Sequence, residues 1–205
     1  VCDPGDEVIL PAPYWVSYPE QIKLAQGEIK TVKARPDNGL KITAEQLRDA
    51  ISSKTRLLIL NSPSNPSGAV YTKKELAAIA DVIAENNIYV LSDEIYDQIV
   101  FDDMEYASMA DFHQQLGDLL IYINGVSKSF AMTGWRIGFL AAHADLATAI
   151  KKYQGHSTSN PASISQKAAY AGYVQDKQFI KEMCNAFQER RNFVHERLNA
   201  MPNVT

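Results

Sequence analysis

One lysine, Lys128, lies in a loop between two apolar segments and is the residue best placed to do chemistry. The loop, NGVSKSFAMTGWRIG at 124–138, also holds Arg136, glycines and several hydroxyl side chains. The flanking segments, 119–123 and 137–142, have the composition of buried strands. A lysine amine that loses its proton on desolvation is a nucleophile toward carbonyl groups, whereas the ordinary loop lysine points into solvent. The residues around Lys128 decide between these interpretations.

Three other distinctive side chains come just after apolar segments, as Lys128 does. They are Trp15, Asn65 and Asp93. In a parallel sheet, ligands bind outside the carboxyl ends of the strands. If the apolar segments are strands of one such sheet, these four side chains are expected to gather on one rim.

The chain alternates apolar segments with segments of helical periodicity. Strands are predicted at 7–10, 28–34, 57–60, 88–91, 119–123 and 137–142, and 99–101 either extends the fourth strand or forms a short one. Helices are predicted at 14–24, 43–52, 72–86, 145–154, 162–173 and 177–200. Thr43 and Thr72 precede Gln46 and Glu75 by three residues, which is capping-box spacing. This pattern predicts an α/β layered fold with a mostly parallel sheet.

A carboxylate and a tyrosine follow the fourth predicted strand. Asp93 could hold a cationic ring nitrogen, or it could serve as a helix cap or turn residue. Tyr96, three residues on, could donate to a ring oxygen, or it could be an ordinary half-buried tyrosine. A Schiff-base lysine, a carboxylate for the ring nitrogen and an arginine for a phosphate are together what a pyridoxal 5'-phosphate (PLP) enzyme needs.

The remaining candidates each have an ordinary alternative. Asn65 lies in a turn-prone Asn-Pro pair but could also donate to a ring oxygen or a substrate carboxylate. Trp15 could stack on a flat ring or pack in the core. Arg136 could bind phosphate oxygens, with Ser127 and Ser129 as hydroxyl donors, or it could form a surface ion pair. The bonds before Pro13 and Pro66 are candidates for the cis form.

The composition indicates a globular domain with a sizeable core. The 205 residues are 46% hydrophobic and 21% charged, which suits one large domain. The net charge is −4 and there is no basic run, so the sequence predicts neither a nucleic-acid nor an anionic membrane partner. No apolar stretch has membrane-spanning length.

The cysteines and histidines predict no metal site. Cys2 and Cys184 are far apart and form no CxxC pair, so we expect free thiols in a reducing, cytoplasmic compartment. The four histidines are scattered along the sequence. The first and last residues lack the features of a complete chain, and the sequence is expected to be part of a larger protein.

Four ordered segments resemble the class I/II PLP-dependent aminotransferases, most closely the prokaryotic aspartate aminotransferase branch. They are PYWVSYPE at 13–20, NSPSNPSG at 61–68, SDEIY at 92–96 and SKSFAMTGWRIG at 127–138. The resemblance implies the three-layer α/β/α large domain of fold type I PLP-dependent transferases. Residues 1–175 would be the PLP-binding large domain, incomplete at its N-terminus. Residues 176–205 would form a long helix leading toward a C-terminal small domain.

The resemblance also implies roles for the rim residues. Lys128 would form the Schiff base and shuttle the proton. Asp93 would pair with the pyridine nitrogen, and Tyr96 and Asn65 with the ring oxygen. Trp15 would stack on the ring.

Phosphate, substrate and partner contacts follow from the same resemblance. Arg136 would bind the phosphate, with Ser127 as a weaker phosphate or loop contact. Trp15 and Asn65 would also touch the amino-acid substrate. Many relatives have serine where Gly125 stands, and the segment 157–161 is similar to one that reaches the partner's site in homodimers with shared active sites.

The expected activity is transfer of an amino group from an L-amino acid, aspartate first, to a 2-oxo acid such as 2-oxoglutarate by a ping-pong mechanism. Aromatic amino acids or prephenate are further substrates that the resemblance allows. The phosphate loop and the substrate-clamping arginine of the family lie outside this sequence, so the chain as given is expected not to complete a turnover.

Two alternatives remain open. A PLP-dependent C–S lyase would keep the fold and the cofactor but break another bond, and the substrate-binding arm would distinguish it. An aminotransferase-like PLP-sensing domain of a transcription regulator would bind PLP without turnover, and a preceding winged-helix DNA-binding domain would reveal it.

Overall fold

The structure, a computed structural model, describes residues 1–204, and within them six strands form one sheet. The strands are β1 (Glu7–Ala12), β2 (Glu28–Lys33), β3 (Thr55–Asn61), β4 (Tyr89–Asp93), β5 (Leu120–Gly125) and β6 (Gly138–Ala141). Their order across the sheet is β2-β1-β3-β4-β5-β6. Strands β1 to β5 run parallel, and β6 pairs antiparallel with β5. The predicted mostly parallel α/β sheet is therefore confirmed.

Helices lie on both faces of this sheet. They are α1 (Ser17–Leu24), α2 (Ala44–Ala50), α3 (Lys73–Asn86), α4 (His113–Leu116), α5 (Ala144–Ser157), α6 (Ser163–Val174) and α7 (Gln178–Asn199). The capping boxes predicted at Thr43 and Thr72 are present at the starts of α2 and α3. Each satisfies backbone donors that the first helical turn would otherwise leave free.

The three-layer arrangement follows from the alternation of strand side chains. Successive residues of a strand point to opposite faces, and Leu58 and Leu60 pack with α2, α3 and α4 in one core cluster. Leu57 and Ile59 pack with Tyr18 and other residues of α1 in a second cluster. Both faces of the sheet are thus buried, which explains why the strands read as continuous apolar runs.

Some boundaries differ from the prediction. Helix α1 begins at Ser17 rather than at residue 14, because residues 13–16 form the turn that carries Trp15. The bonds before Pro13 and Pro66 are cis, as expected, and so is the bond before Pro63, for which no prediction was made. The loop after β4 contains the short helix α4, which the sequence did not indicate.

The strand predicted at 99–101 is wrong. The segment is a loop beside α7, and the residues on either side of it, Gln98 and Asp102, bond to that helix rather than to a neighbouring strand. Cys184 Sγ donates to the Gln98 carbonyl at 3.0 Å, and Asp102 N donates to Gln188 at 2.9 Å. Arg191 pairs with both carboxylate oxygens of Asp102.

Within residues 1–204, no helix combines the length and the apolar character needed to cross a membrane. The same residues hold no group of three or more histidine, cysteine, aspartate or glutamate side chains arranged to bind a metal ion.

Candidate active site

Seven of the predicted site residues line one cavity of about 440 Å³. They are Trp15, Asn65, Asp93, Tyr96, Ser127, Lys128 and Arg136. The cavity lies at the carboxyl ends of β3, β4 and β5, where the register pairs Asn61 with Asp93 and Asp93 with Ile123. The parallel strands end side by side, so residues far apart in sequence meet at this rim.

Asp93 is held by a buried tyrosine that the sequence did not single out. Tyr18 of α1 donates its hydroxyl to Asp93 Oδ2 at 2.7 Å, and the Ile95 amide donates to Asp93 Oδ1 at 3.2 Å. Tyr18 is only 4% exposed, and its burial, together with the Asp93 charge, raises its pKa. The hydroxyl therefore keeps its proton and stays a donor. Asp93 is the last residue of β4, rather than a helix cap or turn residue, and it lines the cavity.

A second unpredicted residue, Asn61, links the ends of β3 and β4. Its Nδ2 donates to the Asp93 carbonyl at 2.9 Å, and its Oδ1 accepts from the Asn65 amide at 2.8 Å. Asn65 Nδ2 in turn donates to the Tyr96 hydroxyl at 3.3 Å. These bonds bring Asn65 and Tyr96 together beside Asp93. Both side chains are thereby held in the lining of the cavity.

Lys128 is half-buried, and it lies on a loop whose neighbouring residues pack into a hydrophobic core cluster. Its Nζ lies 5.6 Å from the centre of the Tyr96 ring. Two neighbours in the loop, Val126 and Phe130, are buried in a third cluster with Ala169 of α6 and residues of α7. The packing of Val126 and Phe130 thus fixes the loop that places Lys128 in the cavity lining.

Trp15 does not pack in the core. It is 39% exposed, and its ring meets the Tyr18 ring edge-on, with centroids 5.4 Å apart. Aromatic faces left free by such an arrangement can stack on a flat ligand.

Arg136 and Ser127 are also part of the cavity lining. The Arg136 guanidinium donates to the Thr133 carbonyl at 2.9 Å, and among residues 1–204 it has no carboxylate partner. The surface ion pair considered from the sequence is therefore absent from the described chain. Ser129, grouped with Ser127 in the sequence, does not line the cavity: its hydroxyl donates to Asp97 Oδ1 at 2.8 Å.

A buried carboxylate, Glu94, fixes the turn next to Asp93. It accepts hydrogen bonds from Tyr106, from Ser108 at 2.7 Å, from Ser92 at 2.8 Å and from the Met109 amide at 3.0 Å. Burial raises the pKa of Glu94 in spite of these donors. The turn that follows Asp93 and carries Tyr96 is therefore fastened to the protein interior.

Gly125 has no room for a side chain. A Cβ at this position would lie 2.8 Å from the Ile137 carbonyl oxygen and 3.0 Å from Gly138 Cα, both of them backbone atoms. Antiparallel pairing of β5 with β6 brings these atoms close. The serine that resemblance suggested for this position would not fit without movement of the Lys128 loop.

We expect Gly125→Ser to destabilise the fold by about 1–3 kcal/mol, the usual cost of overpacking. Urea unfolding measures the change. Gly155→Ser is the matched control, because a Cβ at Gly155 of α5 meets nothing within 4 Å. Equal stabilities of the two variants would show that β6 moves aside freely.

Comparison with known proteins places the chain among aminotransferases. The profile of the family described as "Aminotransferase class I and II" matches residues 1–205. The chain is 48% identical over 202 residues to an aspartate aminotransferase of Bacillus sp. (strain YM-2), covering 98% of the chain and 52% of that relative. It is 45% identical over 204 residues to an aspartate/prephenate aminotransferase of Cereibacter sphaeroides, covering 99% and 51%.

A solved structure shows the same backbone. The crystal structure of the aspartate aminotransferase from Rhizobium meliloti superposes with a TM-score of 0.95 at 39% identity, covering 98% of this chain and 50% of that one. The chain thus spans about half the length of the relatives that it matches.

Proposed function

The chain belongs to the class I and II aminotransferase family, and from that premise we propose that the full-length protein is a PLP-dependent aminotransferase. It moves an amino group from an L-amino acid, aspartate first, to a 2-oxo acid such as 2-oxoglutarate, by a ping-pong mechanism. The observation that carries the proposal is the meeting of Lys128, Asp93 and Arg136 in one cavity. The aspartate preference rests on the relatives, whose names include aspartate and aspartate/prephenate aminotransferases.

The chemistry of the cavity lining fits PLP. A volume of about 440 Å³ lies in the usual range for small-ligand sites. The lining offers a carboxylate held by Tyr18 and a guanidinium that has no carboxylate partner among residues 1–204. A cation-binding group and an anion-binding group suit a ligand with a protonated ring nitrogen and a phosphate.

Six of the lining residues then have an assigned contact with PLP. Asp93 would hold the ring nitrogen, Tyr96 and Asn65 the ring oxygen, and Trp15 the ring face. The phosphate would be bound by two further residues, Arg136 and Ser127. When bound, PLP supplies an electron sink for the charge that develops at the substrate α-carbon.

The chain's own groups do the rest. Lys128 would hold PLP through its Nζ, and it would take the proton from the substrate α-carbon and pass it on. Asn65 and Trp15 orient the substrate beside Lys128. The Tyr18 hydroxyl keeps Asp93 in one orientation, so that its charge stays directed into the cavity.

Borohydride trapping tests the proposal directly. The full-length protein is mixed with PLP, reduced and mapped by peptide mass. Adduct at Lys128 is expected, together with conversion of aspartate and 2-oxoglutarate into oxaloacetate and glutamate. Absence of a Lys128 adduct would refute the PLP site, whereas an adduct with turnover of aromatic amino acids alone would refute only the aspartate preference.

Tyr18→Phe is expected to weaken PLP affinity roughly tenfold, because a hydrogen bond to a charged group contributes about 1.5–3 kcal/mol. The phenyl ring keeps the packing of Tyr18 while the donor to Asp93 is lost. Titration of the apoprotein with PLP, followed by absorbance, measures the change.

Tyr71→Phe is the control for this experiment. Tyr71 is also a buried tyrosine, and its hydroxyl accepts from the Ile42 amide at 3.0 Å, away from the cavity. Its loss should affect stability and leave PLP affinity unchanged. Equal PLP affinities of the Tyr18 and Tyr71 variants would count against a role for Tyr18 in holding Asp93.

The assembly and location follow as further parts of the proposal. Exposed apolar side chains on α5 and α6, among them Tyr153, Ile164 and Tyr170, support a surface that a second copy covers. The exposed segment 157–161 joins these helices, and light scattering of the full-length protein should give the mass of a homodimer. Both cysteines are free, which suits a reducing, cytoplasmic compartment. We assign residues 1–175 to the PLP-binding domain, with α7 leading out of it.

A further inference from the structure

One carboxylate, that of Asp97, ties the Lys128 loop to the turn after β4. Ser129 Oγ donates to Asp97 Oδ1 at 2.8 Å, and Asn124 Nδ2 donates to Asp97 Oδ2 at 3.0 Å. Ser129 is the residue directly after Lys128, and Asn124 lies four residues before it. Both donors are buried, at 1% and 3% exposure. Asp97 thus holds the two flanks of Lys128 at once.

Asp97 itself is part of a fixed turn. Its amide donates to the Glu94 carbonyl at 3.0 Å, and the Ile99 amide donates to the Tyr96 carbonyl at 2.8 Å. The Glu94 side chain is fastened by its own buried donors. The turn starts one residue after Asp93 and includes Tyr96. Asp97 therefore has a fixed position relative to both residues.

Asn124 extends the connection to the start of the loop. Its Oδ1 accepts from the Gly125 amide at 2.7 Å, and its Nδ2 also donates to the Tyr122 hydroxyl at 2.7 Å. The amide side chain is therefore held by Tyr122 and Gly125 of β5 and by Asp97. Loss of the hydrogen bond between Asn124 and Asp97 would detach the start of the Lys128 loop from the turn after β4.

We propose that Asp97 is a positioning residue that sets the place of Lys128 relative to Asp93 and Tyr96. Asp97 does not line the cavity, so it acts through Ser129 and Asn124 rather than by touching the substrate. The inference rests on the proposed PLP chemistry of Lys128. Its physical basis is that a reacting group displaced by about 1 Å can lose about a hundredfold in rate.

Two substitutions separate geometry from charge. Asp97→Ala removes both acceptors. Asp97→Asn keeps the shape, because its Oδ1 can accept from Asn124 while its Nδ2 donates to Ser129 Oγ, a hydroxyl that is also an acceptor. In the full-length holoenzyme, we expect Asp97→Ala to lower kcat by about a hundredfold with KM within about twofold. Asp97→Asn should stay within about fivefold of wild-type kcat.

A readout other than activity accompanies the kinetics. Borohydride trapping with limiting PLP gives the fraction of adduct on Lys128 against the fraction on exposed lysines such as Lys73 and Lys151. This selectivity should fall in Asp97→Ala and recover in Asp97→Asn. Asp81→Ala is the matched control, since Asp81 of α3 accepts from Gln115 at 2.8 Å on the surface, and it should change neither readout.

Several outcomes would overturn the inference. Asp97→Ala with a lower melting temperature but unchanged kcat and Lys128 selectivity would make Asp97 a residue of the fold alone. If Asp97→Asn is as impaired as Asp97→Ala, the effect of Asp97 comes from its charge and not from its positioning of Lys128. If Asp97→Ala does not fold, Ser129→Ala still decides: we expect kcat about tenfold lower from the loss of one hydrogen bond, and unchanged kcat refutes the inference. A wild-type protein without Lys128 adduct would instead refute the proposed function.

Discussion

Lys128→Ala is expected to lower the kcat of amino transfer by at least about ten thousandfold, the upper range for loss of a group that moves a proton. Lys128 is the only lysine that lines the cavity among the residues the structure describes. No neighbouring amine can therefore replace its nucleophilic nitrogen. Steady-state rates with aspartate and 2-oxoglutarate measure the loss, and a single-turnover assay with PLP-loaded protein extends the range.

Lys128→Arg separates chemistry from charge. Arginine keeps the positive charge beside the Tyr96 ring but does not lose its proton in proteins, so we expect a loss similar to that of alanine. Lys151→Ala, an exposed lysine of α5, serves as the control and should retain wild-type rates. Activity above about one tenth of wild type in either Lys128 variant would exclude Lys128 as the reacting amine.

The rim was predictable from the sequence because parallel strands order it. Asn65, Asp93 and Lys128 each follow an apolar run, and strands β3, β4 and β5 lie side by side in the sheet. Once the strands are correctly predicted to run parallel, the three residues are expected at one edge of the sheet. The helix caps were predictable for a different reason, since the capping box is a contact between residues three apart.

The contacts that hold the rim in place were not predictable. Tyr18 is 75 residues from Asp93, and in α1 it has the spacing of an ordinary core residue. Asn61 reads as the polar end of a strand, and Asp97 reads as a surface turn residue. Their roles depend on how α1 and the Lys128 loop pack on the sheet, which no local pattern specifies.

The wrong strand prediction at 99–101 has the same cause, which is packing against an element distant in sequence. Its apolar residues satisfy the composition of a strand, but α7 lies beside the segment and bonds to Gln98 and Asp102 on either side of it. The sequence around Gly125 likewise did not indicate how closely β6 approaches. This approach leaves no space for a Cβ at Gly125. In both cases a distant element decides between two locally acceptable structures.

Asp93→Ala is expected to lower kcat by about a hundredfold to a thousandfold, the usual range for removal of one group that stabilises charge in the transition state. Asp93 is the only carboxylate that lines the cavity within residues 1–204. Without it, no negative charge faces the cavity to hold a protonated ring nitrogen. Both kcat and PLP affinity should therefore fall, and steady-state kinetics with PLP titration measures them.

Asp93→Asn distinguishes the charge from the shape of this side chain. Asparagine Oδ1 can still accept one of the hydrogen bonds from Tyr18 and the Ile95 amide, so thermal stability should stay close to wild type. The negative charge is lost, and we expect kcat within about tenfold of the alanine variant. Asp118→Asn, on the surface, should retain wild-type kcat. An asparagine variant with wild-type kcat would mean that Asp93 shapes the turn after β4 and that another group compensates the ring nitrogen.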